Sequence, residues 1–69
     1  QMTTITNEEQ TKFKARSVTL QNTAWEYLRK SETAYELGNW KLALELDAVY
    51  CRLTKDSIYF AQLSYSKVA

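Results

Sequence analysis

Proline and histidine are absent from this 69-residue sequence, glycine occurs once, at Gly38, and cysteine once, at Cys51. Each absence removes a class of answers. With no proline and one glycine there is little to break a helix or to build a long loop, so long helices are expected. A single cysteine forms no internal disulfide, and without histidine the ligand sets of the common zinc sites are missing. No metal and no cofactor is therefore expected. Lack of histidine also removes the usual base for a nucleophile, and lack of a glycine-rich loop leaves nothing to cradle a phosphate. Carboxylates such as Glu45 and Asp47 would point to different sides of a helix, so they do not form an acid–base pair. The expectation is a protein that is not an enzyme.

Long apolar runs are missing as well. Nowhere do eighteen apolar residues follow one another, and residues 1–14 hold no apolar leader core; a soluble, cytoplasmic protein without a membrane span is expected. Nine Lys and Arg against eight Asp and Glu give a net charge of +1, too little to concentrate the protein on nucleic acid. The one cationic cluster, Lys12, Lys14 and Arg16, is too small for tight phosphate binding at physiological salt. Gln1 ahead of Met2 reads as an added residue preceding the natural start.

What is present is helical periodicity. Thr6 followed by Glu9 fits a capping box, with Glu8 and Glu9 in the first turn, so a first helix is expected from about Asn7. Phe13, Ser17, Leu20, Ala24, Tyr27, Ser31 and Ala34 recur at alternating spacings of four and three and mark one face of that helix. Ser17, Ala24 and Ser31 are small, which invites a facing helix to approach closely. One long helix is expected, with an interruption over residues 17–23, in the stretch SVTLQNT with Val18 and Thr19, as the alternative. Gly38 suits the left-handed position just past a helix end, and Asn39 suits the N-cap of the next helix, so the two make a tight antiparallel turn. In the second helix Leu42, Leu46, Val49 and Leu53 form a stripe, while Trp40, Ala43, Leu44, Tyr50 and Cys51 spread apolar character round the other sides. One neighbouring helix cannot cover that. TKDS at residues 54–57 is a candidate break before a short third helix; the alternative is a second helix running on to about Lys67.

The segment AYELGNWKLALELD resembles the turn of a tetratricopeptide hairpin, with Gly38, Trp40 and Ala43 at the matching positions. Ala34, Gly38, Asn39, Trp40 and Ala43 also resemble the pattern of the small enterobacterial ANR family, negative regulators of AraC-type activators, and of PerC-type proteins. Tyr35 stands where that pattern has an acidic residue, and Asp47 where it has an aromatic one. The resemblance implies a small helical protein that binds a transcription factor and blocks its dimerisation or DNA contact.

The expected architecture is a single all-α domain over residues 1–69: an antiparallel helical hairpin with a disordered tail at 1–6 and an optional short third helix, assembling as a dimeric helical bundle. Such a short chain builds only a marginal core of its own, and a second copy is the remedy the composition leaves. Nine aromatic residues are more than one small subunit can bury. Trp25, Trp40 and Tyr59 are the candidate partner-binding residues, and Leu42, Leu46, Val49 and Leu53 the candidate self-association seam. The expected function is modulation of another protein, above all a transcription factor. A small nucleic-acid-associated protein, or a phage or plasmid protein that occludes a host enzyme, are the alternatives.

Overall fold

The computed structural model describes residues 4–68, and all its long elements are helices. A two-residue strand β1 (Thr4–Ile5) leads into helix α1 (Asn7–Glu36); helix α2 (Trp40–Ser64) returns antiparallel to it, and a two-residue strand β2 (Lys67–Val68) follows.

Local chemistry sets each boundary. The Thr6 hydroxyl accepts from the Glu9 N–H at 3.1 Å, and the Glu9 carboxylate accepts from the Thr6 N–H at 3.1 Å, which completes the capping box. At the other end Gly38 has φ +78°. Its N–H donates to the Tyr35 carbonyl, and the Asn39 N–H donates to the Ala34 carbonyl at 2.9 Å. Those two bonds are the paired closures of a Schellman motif, and they satisfy carbonyls the helix end would otherwise leave bare. Asn39 then caps α2, its side-chain oxygen accepting from the Leu42 N–H at 3.2 Å.

Neither of the two candidate breaks occurs, and the single long first helix stands as expected. α1 runs unbroken through residues 17–23: the Thr23 hydroxyl donates back to the Thr19 carbonyl at 3.0 Å, and Val18 is exposed, so neither residue crowds the helix. α2 likewise runs through residues 54–57, and there is no third helix among the described residues. Ser57, a candidate cap, is buried, and its hydroxyl donates to the Ser17 carbonyl of α1 at 2.8 Å instead of to a helix start of its own. Tertiary contact has taken the residue that would have made the turn.

The tail is also corrected in part. Thr4 and Ile5, expected in a disordered segment, pair in parallel with Lys67 and Val68, and Ile5 is only 4% exposed. An apolar side chain so close to the start of α1 gains more by covering the open end of the hairpin than by staying in water. Residues 1–3 of that expected tail lie outside the described residues.

The helices meet along a seam of small residues with a period of seven. Gln10 donates through its side chain to the Ser64 carbonyl at 3.1 Å; Ser17 and Ser57 exchange hydroxyl-to-carbonyl bonds at 2.8 Å each; Ser31 donates to the Ala43 carbonyl at 3.0 Å. Ala24, level with Tyr50 in this register, and Ala43 are both 0% exposed. A serine hydroxyl reaches the backbone of a facing helix only when the two backbones lie close, so this seam fixes a tight antiparallel pair.

Two outcomes follow for stability. A Cβ at Gly38 would meet nothing within 4 Å, so Gly38→Ala is expected to cost about 1 kcal/mol through backbone conformation alone, and Gly38→Asn less, in urea unfolding. Ala43→Leu is expected to cost about 1–3 kcal/mol or more, because the seam has no room for the added atoms; an unchanged midpoint would contradict the close approach.

Candidate protein-contact site

A seam built from alanine and serine leaves the large side chains elsewhere. The buried hydrophobic residues described are Ile5, Ala24, Ala34 and Ala43, and no large side chain is fully buried. The molecule is a slab with Cα extents of 51 × 20 × 10 Å and a radius of gyration of 15.5 Å, against about 11 Å for a compact chain of this length. Its accessible surface of 5335 Å² exceeds the roughly 4,500 Å² expected of a compact protein of its mass.

The slab has two faces, and they differ. Side chains three positions beyond each seam residue lie on one side: Phe13, Leu20, Tyr27 and Ala34 of α1 with Leu46, Leu53 and Phe60 of α2. The Phe13 and Phe60 rings meet across the helices at 6.1 Å, and Ala34, Leu42 and Leu46 line one groove near the hairpin tip together with Lys30 and Leu37. All of its central positions are apolar. Arg16 and Lys30 rise from its flank and their heads reach in over its rings, the Arg16 guanidinium 5.8 Å from the centre of the Phe60 ring and the Lys30 ammonium 5.1 Å from that of Tyr27. Each cation sits against the negative face of its ring, and both side chains remain exposed. We call this the leucine face.

Side chains four positions beyond the seam make the opposite side: Lys14, Gln21, Leu28 and Tyr35 of α1 with Asp47, Thr54 and Ala61 of α2. Here Tyr35 and Trp40 pack edge to face at 5.1 Å, Trp25 and Tyr50 lie 6.2 Å apart, and Lys14 and Ala61 line one shallow groove. The centre of this tryptophan face is largely polar, and its flanks carry the exposed apolar residues Val18, Trp25, Leu44 and Ile58. Cys51 is exposed on the same flank as Leu44 and Ile58.

Leu42, Leu46, Val49 and Leu53 thus lie together on the leucine face. Trp25 and Trp40, 46% and 63% exposed, lie on the tryptophan face, about 13 Å apart along the helices. Tyr59, 57% exposed, is not brought to them: it sits on the outer edge of α2, packed edge-on against Phe60 at 5.4 Å. Sequence reasoning placed Phe13, Leu20 and Tyr27 on one face of the first helix together with Ser17, Ala24 and Ser31. The three large residues are only half-buried and join the four residues of α2 on one surface. The signal that finds them is the seven-residue recurrence of Ser and Ala, which shows where the partner helix sits and therefore where it does not.

Comparison with protein-family models, with curated proteins and with solved structures finds no match to this chain. No helix among the described residues is long and apolar enough to cross a membrane.

One buried polar atom tests this geometry. The Thr54 hydroxyl, under the centre of the tryptophan face, is buried without a hydrogen-bond partner. Thr54→Val, which keeps the shape and removes the orphaned group, is expected to leave stability unchanged or raise it by up to about 1–2 kcal/mol in thermal or urea unfolding.

Proposed function

We propose that this protein is a non-enzymatic regulator that works by binding another protein, above all a transcription factor, and that it does so as a homodimer. The observation that carries this reading is the burial pattern: a hairpin whose core is alanine and serine, with its tryptophans, leucines and tyrosines on the two faces. Contiguous apolar surface of that extent marks interaction sites in soluble proteins. The tryptophan face, with exposed aromatics around a polar centre, has the composition of a non-obligate protein interface.

The resemblance to ANR and PerC-type regulators narrows the partner class. Of the five matching residues, Gly38 and Asn39 make the turn, and Ala34 and Ala43 are buried against the facing helix. Trp40 has no such duty. A bulky aromatic left exposed at the start of α2 supports its assignment to partner binding, with Trp25 as the second anchor and Tyr59 as a separate edge contact. Leu42, Leu46, Val49 and Leu53 are assigned to self-association.

Affinity capture with the wild-type protein and with a Trp25→Ala, Trp40→Ala double variant, read by mass spectrometry, tests the reading. The expected result is a DNA-binding regulator retained by the wild type and reduced at least tenfold by the double variant. Retention that the substitutions do not change, or a captured set without transcription factors, would contradict it. Direct binding to a DNA duplex at low salt, lost steeply as salt rises, would favour the nucleic-acid alternative.

A further inference from the structure

The dimer of the preceding section leaves open which side of the slab closes on which, and the two faces answer it differently. Closing the tryptophan face on a second copy would bury Lys14, Gln21 and Asp47 at its centre, and charges taken out of water without partners are costly. Closing the leucine face buries Phe13, Leu20, Tyr27, Leu46, Leu53 and Phe60. Arg16 and Lys30, exposed side chains of the flank whose heads lie over the Phe60 and Tyr27 rings, are long enough to swing out to water as the face closes.

We infer that a second copy of this chain covers the leucine face, leucine face to leucine face, so that two hairpins stack into a four-helix bundle with their tryptophan faces turned outward on opposite sides. The inference rests on the homodimer reading and adds the side that closes. Size supports it. The 51 × 20 Å plan of the slab is about 1,000 Å², and a stable interface covers about 800 Å² on each partner. Shape supports it too. One hairpin is a single layer with a radius of gyration of 15.5 Å, whereas a compact assembly of twice the length has about 14 Å, so a second layer brings the molecule close to ordinary compactness. The self-association surface then spans both helices, adding Phe13, Leu20 and Tyr27 of α1 to the α2 stripe. The dimer carries two copies of the Trp25–Trp40 surface facing away from each other. It is built to hold two partner molecules on opposite sides.

Both tryptophans and the single cysteine lie on the face that stays open, which makes the wild-type protein its own reporter. Sedimentation equilibrium from 1 to 200 μM is expected to show the wild type passing from monomer to dimer. Leu46→Glu and Leu53→Glu are expected to weaken association at least 100-fold, while Leu44→Glu and Ile58→Glu, on the other face, leave it within about threefold. In the unmutated protein, acrylamide quenching of tryptophan emission and the reaction rate of Cys51 with a disulfide reagent are expected to stay constant across that concentration range. These two readouts keep the test decisive if circular dichroism shows a glutamate variant to be unfolded. Dimerisation that survives Leu46→Glu and is lost in Ile58→Glu, or tryptophans and a thiol that become protected as the dimer forms, would overturn the face assignment and leave the homodimer standing. A wild-type monomer throughout would overturn both.

Discussion

The close approach of α1 and α2 along the Ser17–Ser57 seam is the constraint from which the rest of the molecule follows. Hydroxyls of one helix bonded to carbonyls of the other, at 2.8 Å in both directions, require that nothing larger than alanine or serine stand between the backbones at those levels. Gln10 and Ser31 hold the same register toward the two ends. The small residues that make this contact are not there to fill a core, because two helices so close together have no core to fill. Most of the large apolar side chains of the two helices are turned to the faces, and a chain of 69 residues becomes a slab one helix thick.

That geometry changes the meaning of the apolar residues. Phe13, Leu20, Tyr27, Leu46, Leu53 and Phe60 would be ordinary core residues in a three-helix protein. On a two-helix slab they are half-buried, and most of the hydrophobic free energy still available to them, about 25 cal/mol for each Å² removed from water, is gained only when something covers the face. The tryptophan face offers less to a symmetric partner, since Lys14, Gln21 and Asp47 occupy its centre. Its exposed indoles suit a contact that forms and dissolves. One layer of two helices thus presents two kinds of surface, one apolar and continuous, the other aromatic and mixed.

Much of the fold was legible in the letters. The capping pair Thr6 and Glu9, the reversal at Gly38 and the cap at Asn39 are local devices whose partners lie within five residues, so their chemistry is visible without the fold. The small residues Ser17, Ala24 and Ser31 already pointed to a close helix–helix contact. The positions left open or misread depend on distant partners. Ser57 looked like a helix cap because its bond to Ser17, forty residues away, cannot be seen in sequence. Ile5 looked like part of a loose tail because its pairing with Val68, at the far end of the sequence from it, cannot be seen in the letters. For the candidate site, the stripe from Leu42 to Leu53 and the exposure of Trp25 and Trp40 could be anticipated. The division of the apolar residues into two unlike faces could not, since it follows from the register of the pair.

Isotope-filtered NMR on a mixture of labelled and unlabelled protein reads the interface of the wild-type molecule directly. The account predicts intermolecular contacts from the methyl groups of Leu20, Leu46 and Leu53 and from the rings of Phe13 and Phe60, and none from the indoles of Trp25 and Trp40. Intermolecular contacts to those indoles, or none from the leucine face at a concentration where the protein is dimeric, would contradict it.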